Sequence, residues 1–338
     1  MKEGFADKMA RKAFEDPKFQ LSWRVHLGAF GPVLDTCFHE DYTAKVHLCA
    51  ALNHISRREC AQGYKKLELL ASRCKTDADR AALAFFLGVC CQMGGDEVHM
   101  ICFYREAVDG GLRFYMPYMK LAKVYQGWVL YDKAAKYYRG AAACFDGRGL
   151  GAGEKVILGS AYAGLATCLT MMHRYSDAER TLENSRIICP DGPGRSAVEA
   201  VLYAAQGREA DAEAALKVLL AHAPQVYEDT RKTVRAILAG TDPIFCPLEP
   251  DVQMLDAFWE WFAEQEDLLT EETLTGRFNG LFPQAEGALQ VKLRENHVTL
   301  PDHYFAALTR LCRELLDQCP AGLRSRWTFE IVHYHEIE

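Results

Sequence analysis

No run of about 18 apolar residues occurs in the 338-residue chain, so no membrane-crossing helix is expected. The opening stretch, MKEGFADKMARKAFED, is charged throughout and lacks the unbroken apolar centre of a secretory signal; the expectation is a soluble cytoplasmic protein. The cysteines also lack a pattern. They number thirteen, an odd total, are scattered, and show no CxxC spacing of the kind used for zinc or dithiol chemistry. Cys90 and Cys91 are neighbours, and Cys312 and Cys319 share a helix face, but neither pair has ligand companions nearby. Small, buried, reduced thiols are expected. No GK[ST], GxSxG or HExxH motif is present, and no coherent set of nucleophile, base and acid. Neither a cofactor nor an enzymatic activity is expected.

Proline is sparse, 12 in all, but three fall in TDPIFCPLEP, residues 241–250, which cannot continue a helix and reads as a linker. The net charge of −7 divides unevenly about that segment. Residues 251–338 hold 16 acids and 7 bases, or −9, leaving 30 acids and 32 bases, or +2, for residues 1–250. A phosphate-driven nucleic-acid partner is disfavoured by this balance.

What is present is helical patterning at 49% hydrophobic content. Residues 4–15 read as an amphipathic helix with Phe5, Met9, Ala13 and Phe14 inward, ended by Asp16-Pro17. In the next segment Phe19, Leu21, Trp23, Val25 and Leu27 alternate as in a strand, while Phe19, Trp23, Leu27 and Phe30 keep a helical spacing; helix is favoured, with a break at Gly31-Pro32. From residue 81 a period of 34 emerges. Leu87 and Leu121, Gly88 and Ala122, Tyr104 and Tyr138, and Ala107 and Ala141 superimpose at that offset. Copies beginning at 159 and 193 follow, with Leu165 and Ala166, Ala178, Leu182 and Pro190 in the first and Ala200, Ala212, Leu216 and Pro224 in the second. A weaker copy from 44 carries Ala50, Ala51, Gly63, Leu67 and Leu70. Between the copies at 115 and 159 lie ten extra residues, around CFDGRGLGAGEKV, read as a loop or an extended helix end. Asp96, Asp132 and Ser176 stand where N-caps of second helices are expected.

This pattern resembles the tetratricopeptide repeat, a helix-turn-helix unit that buries its apolar face only by stacking on further copies. The resemblance implies a mainly α protein: a right-handed superhelical solenoid of helix pairs followed by a small α+β C-terminal module. The divisions are an N-terminal helical segment, 1–43; the solenoid, 44–240, with repeats near 44–80, 81–114, 115–158, 159–192 and 193–226 and a capping helix at 226–239; the linker; and the acidic module, 251–338. In that module a helix at 251–268 carries Leu255, Phe258, Trp259 and Phe262. One or two strands are expected next, with alternation at Leu289, Val291 and Leu293, then a helix over 302–318 with Phe305, Leu308, Leu311 and Leu315, and a strand at Trp327, Phe329 and Ile331. It faintly resembles small modules that close some bacterial tetratricopeptide proteins.

Gly94-Gly95-Asp96-Glu97-Val98 resembles the GGDEF signature of enzymes that cyclise GTP into a dinucleotide messenger. The repeat phase places it instead in a turn between helices, where glycine ends one helix and Asp96 caps the next. Gly147, Gly149, Gly151 and Gly153 read as an inter-repeat loop rather than a phosphate cradle, since a helix precedes them. His47 and His54 fall at positions that face the core.

Within the resemblance, the first helix of each copy lines a concave groove. The lining residues it implies are Leu48, Leu52, Phe85, Val89, Met116, Met119, Lys123 and Thr167. Four of these, Leu48, Leu52, Phe85 and Val89, stand where chaperone-binding relatives carry a Lys and Asn clamp for a carboxylate, so an amphipathic helix docked by its apolar face is the expected partner, with methionines supplying adaptable contacts. Self-occupation of the groove by the N-terminal helix or the C-terminal module is the equal alternative. The competing functional reading is a metal or catalytic site around His297, His303, His333 and His335, the last two sharing one strand face.

Overall fold

The computed structural model describes residues 5–39, 41–145, 149–190, 192, 194–242, 245, 252–281, 291–302, 312–313 and 315–333. Its contacts divide the chain into two compact units, Met1–Trp128 with Asp132–Leu165, and Val129–Tyr131 with Ala166–Glu338. The protein is mainly helical, with a small sheet toward the C-terminus.

The first unit opens with α1 (Phe5–Phe14) and α2 (Pro17–Leu34). Asp16 caps α2 by accepting from the Lys18 and Phe19 amides, and Pro17 supplies a first residue with no amide to satisfy. The helical period wins over the alternating one in α2: Trp23 and His26 are buried while Leu21 and Val25 are each 68% exposed. The break falls at Phe30, whose φ of −130° and ψ of 19° leave the helical region just ahead of Pro32. In α1 the inward face differs from the expected one. Ala10 is buried and Phe14 half-buried, but Met9 and Ala13 are exposed, because α1 seats Phe14 and Arg11 against Tyr42.

Helix pairs follow: α3 (Tyr42–Ser56) with α4 (Cys60–Glu68), α5 (Asp77–Gly94) with α6 (Glu97–Asp109), and α7 (Tyr115–Gly127) with α8 (Tyr131–Ala143). Both ends of α6 and α8 lie 34 residues apart, so the sequence period is a structural one. Small residues set the helix spacing. A β-carbon on Gly88 would come within 2.5 Å of the Tyr104 ring, and Ala107, Ala122 and Ala141 are fully buried. The turn at 94–98 is helix punctuation: Gly95 takes φ +79°, open to glycine without strain, and the Asp96 carboxylate accepts from the His99 amide at 3.1 Å. Asp132 and Ser176 are not caps; each is the second residue of its helix. Part of the ten-residue insertion is helix, since α9 (Ala152–Met171) has 20 residues where α7 has 13.

In the second unit α10 (Tyr175–Ile188) packs on α11 (Arg195–Ala205), and α11, α12 (Glu209–His222) and α13 (Pro224–Leu238) pack around Ala200, Ala204, Ala212, Leu219, Val234 and Ile237. Beyond 250 come α14 (Val252–Gln265), α15 (Glu271–Leu281), β1 (Lys292–Arg294), β2 (His297–Asp302), α16 (Ala321–Arg324) and β3 (Thr328–His333). The sheet order is β1-β2-β3, with β1 antiparallel and β3 parallel to β2. Leu255, Phe258, Trp259 and Phe262 of α14 form the core with Phe278, Val298, Leu300 and Trp327. Asp302 ends β2 rather than opening a helix, and the helical residues described there are 312–313 and 315–317. Leu289, Phe305, Leu308 and Leu311 lie outside the described residues.

Candidate functional site

The residues expected to line a groove separate into two groups. Leu48, Leu52 and Phe85 are at most 2% exposed and belong to the core of the first unit. Val89, Met116, Met119 and Thr167 are half-buried, and Lys123 is exposed. On α3 the buried set is Ala44, Leu48, Cys49, Ala51, Leu52 and Ile55, and Leu48, Ala51, Leu52 and Ile55 lie one residue further on than the repeat phase requires. His47 and His54 are accordingly half-buried rather than core, and His54 Nδ1 pairs with Glu59 Oε2 at 2.6 Å. Burial, then the positive Lys66, lowers the His47 pKa.

Phe85 is enclosed by aromatic rings. Phe86, Phe114, Phe30 and Tyr104 lie 5.0, 5.4, 5.8 and 6.1 Å away between centroids. Of these, Phe30 comes from α2. The N-terminal helices also cover α3: Phe14 of α1 meets Tyr42 and takes the Lys45 ammonium over its ring, while Ser22 and His26 of α2 both donate to Asn53 Oδ1, at 3.0 and 3.1 Å. Burial lowers the His26 pKa against the opposing bond to Asn53. Part of the α3 surface, at Tyr42, Lys45 and Asn53, and one side of Phe85 are therefore covered by this chain's own N-terminal segment.

On α7, Met116, Met119, Lys123 and Gln126 fall at helical spacings of three and four and share one face. Its equivalent on α5 carries Val89 and Gln92. Gln92 and Gln126 enter a repeated hydrogen bond: Tyr104 Oη donates to Gln92 Oε1 at 2.9 Å and Tyr138 Oη to Gln126 Oε1 at 2.6 Å. Sequence reading did not assemble these pairs, although both partners recur at 34 residues and that double recurrence is the signal that would have found them.

A small cavity of about 320 Å³ is lined by Cys60, Tyr64, Cys90, Cys91, Asp96 and His99. Burial pushes Cys90 up to about 12 and Cys91 up to about 11, and Cys90 Sγ donates to the Cys60 carbonyl at 3.2 Å, so these are neutral packing thiols rather than nucleophiles. Among the described residues no three His, Cys, Asp or Glu side chains are grouped as metal ligands. His297 pairs in register with Thr328 and His333 with Asp302, at opposite ends of the β2–β3 ladder and thus about 16 Å apart, so they do not share a site. His297 Nε2 instead meets Glu330 at 3.1 Å. His303 and His335 lie outside the described residues.

No family model matches the chain, and no curated protein matches it. A solved structure of MamA, AMB-1, in a P212121 crystal form is similar at 15% identity with a TM-score of 0.42, covering 55% of this chain and 94% of that one. At that score the likeness carries no argument, and the helix pairing described above rests on this chain's own geometry. No helix among the described residues is long and apolar enough to cross a membrane.

Proposed function

We propose that this protein is a non-enzymatic interaction scaffold whose stacked helix pairs take a partner protein or amphipathic peptide on the face carrying Val89, Met116, Met119 and Lys123. The observation that carries the reading is on α7. Pro117, Leu121, Ala122 and Tyr125 satisfy its buried side, while Met116, Met119 and Lys123 remain accessible on a different one. Two methionines present deformable apolar surface, suited to packing against a helical ligand. The division into a repeat array, a linker at 241–250 and an acidic module, with the array supplying the binding face, belongs to the same proposal. Cytoplasmic residence goes with it, supported by the free thiols of the described cysteines.

Photo-crosslinking tests it. A benzophenone side chain placed at Met119 in the full chain is expected to capture a protein partner, whereas the same group at Val98, exposed in the α5–α6 region, is not. Capture from both positions alike, or from neither, would remove the α7 face from the proposal.

A further inference from the structure

The segment that covers α3 and Phe85 is built differently at its two ends. Downstream of the Phe30 break, Val33, Leu34, Cys37 and Phe38 are all buried, and the Phe38 amide donates to the buried Asp79 carboxylate at 2.6 Å. This end is anchored in the unit's core. Upstream, among the described residues 8–29, only Ala10, Trp23 and His26 are buried, while Leu21 and Val25 stand open on the outer face. Polar attachment of α2 to α3 is concentrated on Asn53, reached by Ser22 and His26, with Ser22 Oγ also 3.5 Å from Cys49 Sγ. The two parts meet where the helix loses its regular φ/ψ at Phe30, beside a proline that has no amide to bond across the break.

We propose that the face of α3 and α5 formed by Cys49, Asn53, Phe85 and Phe86 is a helix-binding surface whose resident ligand is residues 17–30, Ser22 and His26 meeting Asn53 and Phe30 meeting Phe85 and Phe86, hinged at the break after Phe30. The partner it fits is an amphipathic helix with the inward pattern of α2: an aromatic residue, a hydrogen-bond donor three positions on, and a second aromatic four beyond that, as in Trp23, His26 and Phe30. This rests on the scaffold reading and extends it from the open α7 face to the covered one. A segment tethered this closely competes at an effective concentration of about a millimolar, so a ligand in trans binds the covered face weakly until the tethered helix is loosened. The two hydrogen bonds to Asn53, from half-buried Ser22 and buried His26, are the polar attachment of α2 that substitution removes while leaving the Phe14 and Tyr42 contact of α1 in place.

The experiment uses the full chain and a fluorescein-labelled synthetic peptide of residues 17–34 as probe. In hydrogen exchange, amides of residues 18–29 are expected to exchange at least about tenfold faster than those of α5, because the hinge opens without global unfolding. In the variant Ser22→Ala/His26→Ala those amides exchange faster still with α5 unchanged, and the labelled peptide binds about tenfold more tightly than to the unaltered chain. Exchange of residues 18–29 at the α5 rate overturns the proposal, as does equal or absent peptide binding by the two proteins. Should the double variant lose its cooperative melt, the exchange comparison in the unaltered chain decides alone. Crosslinking at Met119 reads separately: capture there without a peptide effect removes the hinged segment and keeps the scaffold, and the reverse keeps the hinged segment and removes the α7 face.

Discussion

Single side chains carry much of the first unit's organisation. Asp79 is the clearest. Its carboxylate sits buried at the start of α5 and accepts from the amides of Phe38, Lys75 and Thr76, at 2.6, 3.0 and 3.0 Å. Burial alone would raise its pKa; the hydrogen bonds from Phe38, Thr76 and Lys75 outweigh it and hold the group below the usual carboxylate value of 3.8. A depressed folded-state pKa means that the stabilisation is present above the unfolded value and is lost as pH falls through the folded one. Asp79→Ala is expected to lower unfolding stability at pH 7 by about 2–3 kcal/mol, since the buried Phe38 amide and the part-buried Lys75 and Thr76 amides lose their acceptor. Denaturant titrations down to pH 2.5 should show the variant losing less stability than the parent below pH 4. At Gly88 the argument is steric. An added methyl would meet the Tyr104 ring at 2.5 Å, so Gly88→Ala should cost about 1–3 kcal/mol and disturb the α5–α6 pair first, read as a loss of near-ultraviolet dichroism from the aromatic cluster.

Elements differ in how far their own residues dictated them. The Tyr-to-Gln bonds of the α5–α6 and α7–α8 pairs are translational equivalents, so Tyr104→Phe and Tyr138→Phe should cost similar amounts, about 1 kcal/mol each, by chemical denaturation. A large inequality would mean that the two pairs are not equivalent environments. Toward the C-terminus, Phe262 of α14 is fully buried against Trp259, Trp327 and Phe329. Phe262→Ala should destabilise this core by about 3–5 kcal/mol, measurable as a shifted tryptophan-emission transition. The sequence leaves one or two strands open ahead of the final helix and strand, and the position of the second, β2, is hidden for a local reason. Its hairpin with β1 turns through Glu295-Asn296, with Glu295 at φ +51°, in place of the Asn-Gly or Asp-Gly pairs that advertise such turns. With the turn hidden, the alternation of Val298 and Leu300 was too short to stand out.

For the molecule as a whole, the scaffold reading and the histidine-centred alternative diverge on metal. Because His297 and His333 lie at opposite ends of the β2–β3 ladder, dialysis against a chelator is expected to leave the melting temperature unchanged, and elemental analysis to find no stoichiometric zinc. A melting temperature that falls on chelation and recovers with zinc would reinstate a metal site built from residues outside that ladder pairing.

The 34-residue period, the helix pairs from Tyr42 to Leu238, the punctuation at Gly95 and Asp96, and the inward residues of α14 were legible because each depends on spacing or on a local backbone need that residue type alone expresses. Groove lining was not. The resemblance assigns Leu48, Leu52 and Phe85 to an open face, and only tertiary packing shows that α1 and α2 lie over α3 and that Phe30 closes on Phe85. A helix's periodicity states which residues must be covered. It does not state what covers them, since a neighbouring repeat, a distant segment of the same chain and a partner all satisfy the same apolar stripe.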